Sequence, residues 1–372
     1  MAKLPVTLTW HTVVVCLVVA LIQLFLGDQT AAEEQKLVID TDGVVDDVKA
    51  ISLALQNPKV NVVAITTVAG STTVEQATAN VARTLRANGV RKYIPVIKGA
   101  EFALIGNINT TQDGILFFGQ DGLSNQPHSM PRALDSDSTA HVKGVEAAEA
   151  LVELFKRNRG KLTLIALGPL TNLAMAIKID PEFALWPKKL VLTGGNFYGM
   201  GNIRTSSTAE FNFNADPEAA EIVLQSMKCP ITIVAWETTF FYQDIQQKRF
   251  DFKRHISLDF PLARYFKAIS QRPRQFMSKF NLPYRYCDEI TVAAAIEPTK
   301  IIDTSRNISA AVELHGTMTR GQLVIAWLED YFGKSMETQM NKIELVMNYN
   351  FEQLDEMMID AIQNVQQFDQ FI

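Results

Sequence analysis

From Lys36 onward the chain alternates short apolar, β-branched runs with stretches of helical spacing, and that alternation restricts its fold more than any other feature. Lys36 to Ile39 is a short apolar strand. Val48, Ile51 and Leu55 then recur at helical spacing until Asn57-Pro58 stops the helix. Val60 to Val68 reads as a buried strand. Thr72-Thr73-Val74-Glu75 fits a capping box, opening a helix with Val74, Ala77, Val81 and Leu85 on one face and Asn88-Gly89 at its end. Tyr93 to Ile97 is another strand, and residues 99–140 read as a long irregular insertion. The pattern resumes with a helix at Val145 to Phe155, a strand at Leu162 to Leu167, a helix at Asn172 to Ile179 and a strand at Leu190 to Thr193. Asp216-Pro217 supplies an N-cap and an N1 proline for a helix through Leu224, and Ile231 to Ala235 is a strand. Late strands at Ala310 to Leu314 and Ile343 to Met347 precede a helix from Phe351. The order implies an α/β fold: an open, mostly parallel (mixed) sheet with helices on both faces. Ligands of such sheets bind outside the carboxyl ends of the strands, so the loops after Ile39, Val68, Leu167 and Thr193 are expected to converge.

The 372 residues carry 35 basic and 40 acidic side chains, without a Lys/Arg run, which excludes the electrostatic footprint of a nucleic-acid binder. Lys3, the apolar stretch Val13 to Leu26 and the small residues Thr30-Ala31-Ala32 form a signal-peptide pattern, the apolar run being shorter than the roughly 20 residues of a span. Residues 1–32 are therefore expected to be cleaved, leaving 33–372 as one secreted domain with no membrane attachment. Cys16 would leave with that segment; Cys229 and Cys287 are too few for a disulfide scaffold. Asn109-Thr110-Thr111 and Asn307-Ile308-Ser309 are sequons.

Asp40, Asp42, Asp46 and Asp47 fall within eight positions where a strand gives way to a helix. Carboxylates so close repel one another unless a cation sits among them. Oxygen ligands with no neighbouring histidine favour Ca²⁺ or Mg²⁺ over zinc. A solvated loop capping a helix would explain Asp46 or Asp47, but hardly Asp40 and Asp42 directly after an apolar strand. Taken alone, Asp40-Thr41-Asp42-Gly43-Val44 also fits the first motif of haloacid-dehalogenase-type phosphatases, with Asp40 as nucleophile, Asp42 as acid/base and Mg²⁺ as metal. No later lysine and paired-aspartate motif supports that alternative.

The cluster resembles the first motif of the inosine-uridine-preferring nucleoside hydrolase family, and further blocks follow in order. Ala69-Gly70-Ser71-Thr72-Thr73-Val74-Glu75 resembles its second block and Gly168-Pro169-Leu170-Thr171-Asn172 its third. Gly194-Gly195, Gly201-Asn202, Ala209-Glu210-Phe211-Asn212 and Asp216-Pro217 resemble the fourth, and Asp288 falls where the family has a late metal aspartate. The resemblance implies hydrolysis of the N-glycosidic bond of a nucleoside through an oxocarbenium-like transition state. It implies a Ca²⁺ held by Asp42, Asp47, Asp288 and the carbonyl of Leu167, with Asp42 as general base and Asp40 orienting the ligands from behind. Asp46, Asn202, Glu210 and Asn212 would hold the ribose hydroxyls. Family members are usually dimers or tetramers, so a homodimer or homotetramer is implied.

The departures bear on specificity. Gly43-Val44 stand where the family has Pro-Gly, and Ser71 replaces an asparagine near the ribose and base. Cys287 occupies the place of the histidine that many members use as acid for the leaving base, which resembles a recognised subgroup. A thiol is a poor proton donor near neutral pH, so Cys287 either plays a direct part or fills space. Trp236, Phe276, Tyr284 and Tyr286 are the aromatics available to stack a base, and they tilt the expectation to purine nucleosides. A secreted nucleoside-binding relative without activity is the remaining alternative, against which the retention of Asp42, Asp47 and Asp288 together argues.

Overall fold

The apolar runs pair as β1 (Gln35–Thr41), β2 (Val60–Thr67), β3 (Val96–Lys98), β4 (Leu162–Ala166), β5 (Lys189–Thr193), β6 (Ile231–Val234), β7 (Ile302–Val312), β8 (Leu323–Ile325) and β9 (Asn341–Tyr349). This computed structural model describes residues 34–106, 111–204, 208–241, 252–328 and 340–365, together with Val15. Apart from Val15, the expected signal segment lies outside the described residues, as do the sequon at Asn109 and part of the stretch before Tyr286. Within the described residues the strands form one sheet in the order β3-β2-β1-β4-β5-β6-β9-β7-β8. The strands from β3 across to β9 are parallel; β7 runs antiparallel to β9 and β8.

The helices are α1 (Val45–Gln56), α2 (Val74–Ala87), α3 (Thr111–Phe118), α4 (Ala147–Arg157), α5 (Thr171–Ile179), α6 (Phe211–Ala215), α7 (Pro217–Ser226), α8 (Pro261–Ile269), α9 (Gln271–Lys279), α10 (Asp288–Ile296), α11 (Pro298–Ile301) and α12 (Phe351–Asn364). Period-two alternation sorts the strand side chains to two cores. Leu37, Ile39, Ile65 and Ile165 join α1, α8, α10 and α12 on one face. Val38, Ala64, Leu164 and Ala166 join α4, α5 and α7 on the other. Each fully buried Val, Leu or Ile among them contributes about 1.5–3 kcal/mol.

Two turns differ from the expected reading. The N-cap of α2 is Thr73, whose hydroxyl accepts from the Gln76 N–H, while Thr72 bonds to the Gln120 carbonyl. The cap thus falls one position later than the expected box, and the Gln76 side-chain amide donates to Asn80 at 2.9 Å. Gly43 has φ +67, and a Cβ there would lie 2.8 Å from the Ala77 backbone, so the glycine-requiring position of the acidic turn is 43 in this chain. Val44 is buried beside it, against Gly122 of the insertion.

Residues 99–140 are more regular than their composition suggests. They contain α3, and Arg83 and Arg86 of α2 pin the stretch through the carbonyls of Gln126, Ser129 and Pro131 and an ion pair of 2.6 Å with Asp137. Helix α8, which the pattern did not announce, lies over the β1 side of the core, and α9, equally unannounced, packs on α8 and α3.

Candidate active site

In the strand order, β1 is flanked by β2 on one side and β4 on the other, and the connections leave β1 and β4 in opposite directions. That is the topological switch point of a parallel sheet, where a crevice must open. Thr41 and Asp42 stand at the end of β1, and Leu167 at the end of β4, its N–H donating to the Asp40 carbonyl at 2.8 Å. The sheet therefore delivers Asp42 and Leu167 to the same opening.

The carboxylates are held individually. Asp47 sits at the third position of α1. Its Oδ2 accepts from the Val44 N–H at 3.1 Å, closing the helix N-terminus, and its Oδ1 accepts from the Thr41 hydroxyl. Asp42 Oδ2 accepts from the Ser71 N–H at 2.6 Å. Gly70 makes that approach possible: a Cβ there would lie 2.8 Å from Asp42 Cβ and closer still to its carboxylate. Asp40 points to the adjacent layer, where Oδ1 accepts from the Thr66 hydroxyl at 2.5 Å and the Asn172 amide at 2.7 Å. Asn172 in turn reaches the Thr67 carbonyl and the Ala100 N–H, tying β2, α5 and the insertion behind the cluster.

From the other half of the sheet, Glu210 caps α6 by accepting from the N–H groups of Gly195, Asn212 and Phe213 at 2.9, 2.9 and 3.1 Å. Asn212 donates to the carbonyls of Leu167 and Thr193, at 2.9 and 3.2 Å. Asp288 opens α10, which packs along α1. Ligand atoms of Asp46, Cys287 and Asp288 lie within 4.8 Å of one another. Asp42, Asp47, Asp288, Glu210 and Asn212 are each 7% exposed or less, so this cluster is no solvated loop.

Burial raises these acids. Asp40 and Asp46 are each pushed up to about 7, Asp46 with the charges of Glu289 and Asp42 adding to burial. Burial also raises Glu210 to about 7. Asp47 and Asp288 rise well above the usual carboxylate range, again by burial first and then by their acidic neighbours. Asp42 rises by burial, against its bonds from Ser71 and Asp47. Asp42 and Asp47 stand close enough to share a proton. The one buried cation beside them among the described residues is Lys49, which is engaged by Glu289 at 3.1 Å. Asp46 Oδ1 and Asp40 Oδ2 are buried with no hydrogen-bond partner. Buried carboxylates in excess of neighbouring cations and an orphaned buried carboxylate oxygen together fit a hard divalent cation, with the Cys287 sulfur beside Asp46 and Asp288.

The remaining expected residues are placed as follows. Ser71 is buried against Asp42. Asn202 is exposed on the loop after β5, its N–H reaching the Ala209 carbonyl. Trp236 is half-buried at the end of β6, its N–H on the Gly195 carbonyl and its ring 5.6 Å from Phe240. Cys287 is half-buried beside Asp46 and Asp288, and burial and those two charges hold its thiol neutral. Tyr286 differs from its expected role: its hydroxyl bonds Asp355 and His255 at 2.7 and 2.9 Å, and its ring packs on Phe252 and Phe351. It belongs to the core, because Asp355 and His255 satisfy its hydroxyl and Phe252 and Phe351 enclose its ring. Phe276 is exposed and packs on Phe117 and Phe280.

Sequence reasoning missed three groups. Lys49, fully buried on α1, has the one available signal, a lysine set between the apolar residues Val48, Ala50 and Ile51. Glu237 accepts from the N–H groups of Phe197, Tyr198 and Met200, fastening the loop that leads to Asn202. Asp113 of α3 pairs with Arg204, so the insertion reaches that same loop. Neither of the last two has a local signature.

Comparison with known proteins agrees with this geometry. The family model for inosine-uridine preferring nucleoside hydrolase matches residues 37–356. A probable uridine nucleosidase 1 of Oryza sativa subsp. japonica is 38% identical over 201 residues, 54% of this chain and 58% of that protein. The chain thus spans a little over half the length of that relative. The inosine-uridine preferring nucleoside hydrolase of Leishmania major is 26% identical over 347 residues, 89% of this chain and 98% of that protein. Among solved structures, an inosine-guanosine nucleoside hydrolase superimposes with a TM-score of 0.74 at 27% identity, covering 89% of this chain and 99% of that one.

Proposed function

The chain belongs to the inosine-uridine preferring nucleoside hydrolase family, and on that premise we propose that it is a secreted, calcium-dependent enzyme that hydrolyses the N-glycosidic bond of nucleosides, purine nucleosides foremost, to free base and ribose. The observation that carries the reading is the convergence of buried Asp42, Asp47 and Asp288 with half-buried Asp46 at the switch point, the buried Asp46 Oδ1 being left without a partner. Asp42, Asp47, Asp288 and the Leu167 carbonyl would hold the ion. A bound divalent cation lowers the pKa of water and binds vicinal hydroxyls, which is the chemistry the reaction needs at ribose. The protein supplies the rest. Asp42, anchored by the Ser71 N–H, takes the proton of the attacking water. Asp46 and Glu210 accept hydrogen bonds from the sugar hydroxyls, with Asn212 beside them. Held in this way, the sugar's binding energy serves the reacting bond.

Purine preference rests on the aromatics Trp236 and Tyr284 and on Cys287 in place of histidine, since a stacked purine accepts a proton more readily than a pyrimidine. The names of the plant relatives support a second reading, uridine as substrate. Free ribose, measured from inosine, adenosine, guanosine, uridine and cytidine, tests both. Release abolished by chelation and restored by Ca²⁺ but not Mg²⁺ is the expected result. Tight binding without turnover would instead identify a nucleoside-binding relative.

A further inference from the structure

Lys49 is the one fully buried lysine among the described residues, and it stands one helical turn beyond Asp46 on α1. Its Nζ donates to Glu289 Oε1 at 3.1 Å and to the Tyr284 hydroxyl at 2.8 Å, and neither side chain of the ion pair is exposed. The other oxygen of Glu289 accepts from the Cys287 N–H at 2.9 Å. One ammonium on α1 therefore grips the stretch 284–289 at both ends, and Glu289 returns that grip to its middle. The same stretch carries Cys287 and Asp288. Residues 284–286 lie in no helix or strand, so no helical or sheet ladder fixes the course by which the chain enters α10.

Neutralising the carboxylate cluster does not account for Lys49. Glu289 brings a negative charge of its own, so the pair leaves the excess of acids over cations as it was. Nor does stability account for it, since the desolvation of a buried ion pair commonly cancels the attraction. What the pair does supply is a fixed separation between two helices. Helix α1 carries Asp46 and Asp47, α10 carries Asp288, and ligand atoms of Asp46, Cys287 and Asp288 lie within 4.8 Å of one another. Metal–ligand distances hold to within about 0.2 Å, so even a small slip of α10 along α1 would part the ligands.

We propose that Lys49 and Glu289 are positioning residues for the metal: their ion pair holds α10 against α1 at the separation where Asp47 and Asp288 meet one ion. The proposal rests on the metal site of the nucleosidase reading above. Both residues act through the main chain that carries the ligands, Lys49 through α1 and Glu289 through its bond to the Cys287 N–H, one residue before Asp288.

The test titrates Ca²⁺ alone into the chelated full chain by calorimetry, with circular dichroism at 222 nm reporting that each variant is folded. Lys49→Met is expected to weaken Ca²⁺ binding about 10- to 100-fold. The sign separates position from charge, because removing a positive charge beside a cation site would by Coulomb's law strengthen cation binding. A merely structural pair would lower the urea midpoint of the chelated protein and leave the Ca²⁺ affinity of the folded chain unmoved. Lys49→Met/Glu289→Gln replaces the pair by neutral side chains and buries no unpaired charge, which keeps the fold where the single variant loses it. The double variant is expected to show the same weakening, since methionine donates to neither residue 289 nor Tyr284. Ca²⁺ binding as tight as wild type, or tighter, in either folded variant overturns the proposal. A wild-type chain that binds no Ca²⁺ overturns the calcium reading itself, an outcome distinct from the failure of this pair.

Discussion

Replacing Asp40 by asparagine is expected to make the metal-free protein more stable above neutral pH. Asp40 is fully buried, accepts two hydrogen bonds on Oδ1 and has none on Oδ2. Burial raises its pKa from 3.8 to about 7. A carboxyl whose folded value lies above its unfolded value stabilises the fold fully at pH below about 4 and loses that contribution as pH rises to about 7 and beyond. The rise corresponds to roughly 4 kcal/mol. Asparagine has nearly the same shape, keeps an oxygen for Thr66 and Asn172, and cannot ionise. In urea unfolding of the chelated protein, wild type should lose stability between pH 4 and pH 8, with Asp40 contributing a slope of up to about 1.4 kcal/mol per pH unit. Asp40→Asn should flatten that part of the profile and gain most at the alkaline end. A wild-type stability that rises with pH across this window, or an Asp40→Asn profile parallel to it, would refute the assignment of an uncompensated buried acid.

Three further outcomes follow from the site. Asp42→Ala should abolish ribose release to within the background of the assay, a loss of roughly 10²–10⁴-fold, whereas Cys287→Ala should lose much less. Gly70→Ala places a methyl group where the Asp42 carboxylate lies, so kcat should fall about 100-fold while circular dichroism at 222 nm is unchanged. Glu237→Ala leaves three backbone N–H groups of the Phe197–Met200 turn without their acceptor and should cost about 3 kcal/mol or more in denaturant unfolding, with KM rising for every nucleoside.

Local sequence determined much of this protein. Strand and helix alternation identified the parallel sheet because side-chain period is a property of each segment alone. The turn at Asp216-Pro217 was equally readable, since Asp216 caps the Ala219 N–H and Pro217 needs no donor. The aspartate cluster announced a cation, because four carboxylates at one strand end repel wherever the strand lies. Spacing said nothing, however, of strand order, and strand order is what places Leu167 beside Asp42 and makes the crevice. Nor could it separate Tyr284 from Tyr286. The two stand two residues apart, where a period-two pattern would put them on one side; packing against Phe252, Phe351 and Asp355 buries Tyr286, while Lys49, 235 residues away in sequence, bonds the Tyr284 hydroxyl. The partners of a buried charge are chosen by three-dimensional closure, and that closure divides Asp40 behind the site from Asp42, Asp46 and Asp47 within it.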